Sequence, residues 1–72
     1  MTDNVNSPKH YTSGAIEVID YVEQVTSSYP TETAFSIGNV IKYVSRSPHK
    51  NGVEDLKKAR WYLDRAIKKM EG

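Results

Sequence analysis

An all-α fold of three short helices behind an extended N-terminal arm, assembled as a helical homo-oligomer, follows from three observations. Apolar residues recur at helical spacing in three separate blocks, and no block shows the strict alternation of a strand. Proline and glycine divide those blocks at Pro30, Pro48 and Gly52. The chain has 72 residues and no cysteine, so a single small domain must gain stability by some route other than disulfides. Oligomerisation is the route left, because His10 and His49 belong to no metal-ligand spacing.

Residues 1–14 are polar, contain Pro8 and Gly14, and lack periodicity, which reads as the arm; residues 15–72 form the helical domain. The first helix is expected from about Ala15 to Ser27 on Ala15, Val18, Ile19, Val22 and Val25. Ser13 or Gly14 is its expected cap, with Glu17 completing a capping box behind Gly14. The second starts near Thr31, carries Ala34, Ile37, Val40, Ile41 and Val44, and stops at Ser47-Pro48, since a residue before proline leaves helical space. The third opens on Asn51-Gly52-Val53-Glu54, read as a cap with its glutamate three residues later. Glu54 and Asp55 lie at its positive dipole end, and Lys68 and Lys69 near its negative end. Leu56, Ala59, Leu63, Ala66 or Ile67, and Met70 make its stripe. That stripe is too short for a sustained coiled coil and fits an intermolecular helical bundle.

The formal net charge of +1 speaks against a protein that coats nucleic acid. Charge is uneven, however: of ten basic residues only Lys9 precedes position 42, against five of the nine acids. No apolar run reaches the roughly 18 residues of a membrane span, and no signal-peptide core is present, so a soluble cytoplasmic protein is expected.

The most chemical stretch runs from Gly38 to Gly52. Lys42, Arg46 and Lys50 are four apart and would rise along one side of a continuous helix. Asn39 and Tyr43 flank the row, and cations beside an amide and a flat ring suit a phosphate together with a base. Lys58 can join across a helix–helix groove, and Asp55 can orient it or Arg46. His10, whose ordinary pKa permits either protonation state, can close such a pocket, and Tyr11 can stack. The alternative is a solvated basic face with a structural histidine. Glu17, Asp20 and Glu23 are spaced for a shared magnesium ion, but a second inward pair is missing. Trp61 and Tyr62 read as core or subunit interface. P-loop, dinucleotide-binding and nucleophile-elbow motifs are absent, no cofactor is implied, and no catalytic or metal-ligating residue is assigned.

Three blocks in order resemble the SaV-like family of small phage proteins, a domain of unknown function that often carries the label nucleotide kinase. They are Asn4-x-Asn6-x-Pro8-x-His10-Tyr11; Gly38-Asn39-x-Ile41-Lys42-Tyr43-x-x-Arg46; and Lys50-Asn51-Gly52-x-x-Asp55-Leu56-Lys57-Lys58-Ala59-x-x-Tyr62-Leu63. Ser7 stands where the family often has a histidine. The resemblance implies a phage protein acting in the host cytoplasm on a nucleotide. The leading expectation is a binding module that holds a nucleotide, cyclic and signalling nucleotides included, in pockets shared between subunits, and so sequesters a host defence signal. Lys42, Arg46, Lys50 and Lys58 would hold phosphates, Arg46 by its bidentate fork, so Arg46→Ala is expected to abolish binding and spare the fold. The alternatives are a nucleoside monophosphate kinase and an adaptor that binds a host defence protein through Trp61 and the third stripe.

Overall fold

The computed structural model describes residues 16–72; the expected N-terminal arm, with His10 and Tyr11, lies outside the described residues. The described residues form α1 (Val18–Thr26), α2 (Thr31–Arg46), a 3-10 turn (Ser47–His49) and α3 (Val53–Glu71), with no strand among them. The all-α expectation holds.

Helix α1 begins later than its apolar spacing suggests. Glu17 is itself the capping residue, in extended conformation, and makes no side-chain cap bond. The expected box with Gly14 therefore does not start the helix, and Ile16 stays outside it, 68% exposed. Thr26 and Ser27 close the helix by returning their hydroxyls to the carbonyls of Val22 (2.7 Å) and Gln24 (2.8 Å). Helix α2 starts at Thr31 as expected, its first turn tied by the Thr33 hydroxyl to Pro30 O at 3.1 Å. Ser47-Pro48 ends the α-helix, and the chain tightens into the 3-10 turn with Pro48 at a position where its missing N–H costs nothing.

Helix α2 is central. It packs antiparallel on α3 along most of its length and on α1 over a shorter stretch, while α1 and α3 barely meet. The result is a flattened body of 39 × 28 × 17 Å. At the α1 crossing, Gly38 faces Val22; a Cβ there would lie 3.3 Å from Val22 Cγ1. Glycine permits the close approach.

Burial departs from the expected stripes. The only buried apolar residues among those described are Ala59 and Ala66, on α3. Thr33 and Ser36 of α2 are buried with them, as are Ser47 and Asp55. Small side chains let two helices approach closely, and the residues that α2 and α3 bury most completely are Thr33, Ser36, Asp55, Ala59 and Ala66, with no large aliphatic among them. Leu56, Leu63, Ile67 and Met70, expected to share a stripe with Ala59 and Ala66, lie outside this seam and are 42–61% exposed. The reason is angular: at about 100° per residue, they form a second stripe centred roughly 60° around the helix from Ala59 and Ala66.

Candidate functional site

The short link between α2 and α3 organises the basic residues. Asp55, fully buried, occupies the third position of α3 and receives three hydrogen bonds. Arg46 donates through Nε at 3.2 Å to Oδ2 and through Nη2 at 3.3 Å to Oδ1, the planar fork that a carboxylate matches. The Asn51 N–H donates to Oδ2 at 3.2 Å. Asp55, and not Glu54, thus reaches back over the start of α3. The actual cap is Gly52, at φ 52° and ψ −120°, a conformation that favours glycine, and no side chain caps it. The Ser47 hydroxyl donates to Gly52 O at 3.0 Å, while Gly52 N–H reaches Ser47 O at 3.0 Å. Burial by itself pushes the Asp55 carboxyl up. The hydrogen bonds from Arg46 and Asn51 and the Arg46 charge outweigh it and hold the group below its ordinary value of 3.8.

This arrangement changes the meaning of the basic row. Lys42 and Arg46 do share a side of α2, but the helix ends at Arg46. Lys50 lies past the 3-10 turn with φ −133° and ψ −97°, so it falls out of the row that its spacing of four suggested. Arg46, expected to grip a phosphate with its fork, directs that fork at Asp55. Its removal would strand a buried carboxylate, so the expectation that Arg46→Ala spares the fold is reversed.

What gathers instead is a cluster centred on Tyr43. Lys42 Nζ lies 4.8 Å from the ring centroid, Arg46 Cζ 4.9 Å, and Lys58 Nζ 5.5 Å. Lys58 joins across the helix–helix groove, as the sequence suggested. Among the described residues neither lysine has a carboxylate within ion-pair distance. Tyr43 stacks on Tyr62 of α3, centroids 6.0 Å apart and planes 15° apart, so one of its faces is already taken. Phe35 meets the edge of Tyr62 at 6.0 Å, and Trp61 does so at 5.0 Å. Phe35 is 70% exposed and Trp61 59% exposed. Tyr62 is therefore the inner member of the aromatic group, and Trp61, read from sequence as core or interface, is an outer one.

Beside the cluster, between α1 and α2, runs an open groove of about 450 Å³. Its floor is Val18, Val22 and Gly38; Phe35, Asn39 and Lys42 stand along it. Asn39 Nδ2 donates to Phe35 O at 2.9 Å, which leaves its side-chain carbonyl as an acceptor. Phe35 lies in the stretch the sequence motifs skip. An aromatic four residues before Asn39 on the same helix face was the signal available for it. Asn39, Lys42, Tyr43, Arg46 and Lys58 thus converge within one chain; Lys50 does not, and His10 and Tyr11 lie outside the described residues. No three His, Cys, Asp or Glu side chains gather into a metal-binding group among the described residues, and no helix there is long and apolar enough to cross a membrane.

Residues 5–64 match the model of a family described as a protein of unknown function (DUF3310). The chain belongs to that family. No curated protein and no solved structure matches it.

Proposed function

We propose that the face carrying Lys42, Tyr43 and Lys58 binds a nucleotide, with the phosphate on the two lysines and the base in the neighbouring groove. One observation carries the reading: two lysines without a carboxylate partner among the described residues converge on one tyrosine ring beside an arginine. Clustered cations repel one another, and an anion between them relieves the repulsion. Ring contact offsets only part of that, at about 0.5–1 kcal/mol for an exposed cation–π pair. The groove supports the rest of the reading. Its volume falls within the range of small-molecule sites, its floor is apolar, Phe35 offers an exposed ring, and Asn39 offers an acceptor for a base N–H. Arg46 contributes charge and positions Tyr43, while its fork stays on Asp55.

In this reading the protein is a binding module of a phage, working in the host cytoplasm as a homo-oligomer that withholds a signalling nucleotide. Affinity then needs only preorganised donors and no positioned nucleophile. The described part of the site is complete within one chain, so a pocket shared between subunits is not required by it. A thermal-shift screen across mono-, di-, tri- and cyclic nucleotides tests the proposal. A ligand at about 100 times its dissociation constant adds roughly 2.7 kcal/mol of stability. Recovery of unchanged ligand after heat denaturation supports binding without turnover; new diphosphate supports the kinase alternative; no shift with any nucleotide removes both.

A further inference from the structure

The flattened body has two unlike faces. Lys42 and Lys58 both reach Tyr43, which defines one side of the α2–α3 pair as cationic and aromatic. Turning about 100° per residue places Ile37 and Val44 of α2, and Leu56 and Leu63 of α3, on the opposite side. That side is aliphatic and open: Val44 is 50% exposed, Leu56 48%, Leu63 42%, Ile67 45% and Met70 61%. A folded domain normally buries such faces between two layers, and among the described residues no second layer covers this one.

We propose that this face is covered by a second copy of the chain, with α3 meeting α3 antiparallel about a two-fold axis and α2 of each copy completing a four-helix core. The α3 stripe itself specifies the occupant. Val53, Leu56, Arg60, Leu63, Ile67 and Met70 follow a regular three–four spacing that reads the same from either end. Antiparallel pairing about a point between Trp61 and Tyr62 therefore sets Leu56 against the partner's Ile67, Val53 against the partner's Met70, and Arg60 against the partner's Leu63. Charge agrees with this register, because Lys57 comes within two residues of the partner's Asp64, about 3 Å along the axis, twice by symmetry, and Arg60 falls one residue from that same Asp64. Parallel pairing would instead set Arg60 against Arg60 at the centre. The broad face of the body, 39 × 28 Å, offers a footprint of roughly 1,000 Å², against about 800 Å² per partner in a standard stable interface. Residues 1–15 supply only Met1, Val5, Tyr11 and Ala15 as apolar side chains, too few to cover this face. The two proposed nucleotide-binding faces then point away from each other, and nucleotide binding at Lys42, Tyr43 and Lys58 does not depend on the dimer.

The chain has no cysteine, so introduced thiols report on the pairing without interference. Light scattering on the wild-type chain is expected to give twice the 8.2 kDa of one copy at micromolar concentration. Leu56→Cys and Ile67→Cys chains, mixed, refolded together and air-oxidised, are expected to form the mixed disulfide, with neither variant cross-linking to itself. In the antiparallel register Leu56 lies roughly 16 Å along the axis from its own copy, beyond disulfide reach. A wild-type monomer, a Leu56→Cys homodisulfide, or a dimer that forms no Leu56→Cys/Ile67→Cys cross-link would each overturn the proposal. Lys57→Glu is expected to weaken the dimer at least fivefold, and Lys57→Glu/Asp64→Lys to restore it; failure of the restoration overturns the register.

Discussion

The two junctions of α2 are built in different ways. Where α2 meets α3, a buried carboxylate takes three hydrogen bonds, a serine bridges the turn, and two tyrosines stack across the helices. Where α2 meets α1, the helix has nine residues, no side-chain cap and no buried residue, and a glycine provides the close approach. One junction is specified by polar geometry and the other by the absence of a side chain. The difference shows how neighbouring basic residues can serve two ends: Arg46, at the junction, holds the hairpin together, whereas Lys42 of α2 and Lys58 of α3 meet over the Tyr43 ring and are the pair proposed to take the ligand.

The largest effect is expected at the polar junction. Asp55→Ala leaves the Arg46 guanidinium without its partner and the Asn51 N–H without its acceptor, and is expected to lower the melting temperature by about 10 °C or more. Circular dichroism melts check it, and an unchanged midpoint would remove the distinction between the junctions. Gly38→Val comes next. It drives a branched side chain into Val22, 3.3 Å from the first added carbon, and is expected to detach α1 while α2 and α3 stay paired. Hydrogen exchange should then show α1 amides unprotected and α3 amides little changed, as suits separate cooperative units. Ser47→Ala removes one bridge across the turn and should cost about 1 kcal/mol in denaturant unfolding.

A pH titration sharpens the same contrast. The folded Asp55 carboxyl binds its proton less readily than the unfolded one, so its contribution is fully present above the unfolded value of 3.8 and is lost as pH falls through the lower folded value. Stability should stay level with respect to this group from neutral pH down to about 4, then drop. Asp55→Asn should flatten that acid limb, and α1, with no comparable group at its junction, should add nothing to it.

Much of this was legible in the residues. Pro30 with Thr31, Ser47-Pro48 and Asn51-Gly52 are local punctuation, and α2 and α3 begin and end within a residue or two of where they point. The start of α1 was not, because apolar spacing does not register that Glu17 stands extended as the capping residue and that the helix begins only at Val18. The burial of Thr33 and Ser36 was missed for a different reason: hydrophobic stripes do not register small polar residues that let helices close in. The cluster was half visible. Spacing within one helix joined Lys42 to Arg46, and the sequence offered Asp55 as a partner for Lys58 or Arg46; that it takes the whole Arg46 fork, nine residues on and across a turn, is what periodicity could not decide. Lys50 entered the row by the same counting and leaves it because the helix stops first.

The division of labour within the basic stretch is tested most directly by measuring stability and nucleotide affinity side by side, by calorimetry, for Arg46→Ala and for Lys42→Ala/Lys58→Ala. The expected result is a double lysine variant that melts within about 2 °C of wild type yet binds its best nucleotide at least roughly tenfold more weakly, as loss of charge-assisted contacts implies. Arg46→Ala should show the reverse order of effects, with a large loss of stability preceding any change in affinity that can be measured on folded protein. An Arg46→Ala chain that melts like wild type, or a double lysine variant with wild-type affinity, would contradict the account.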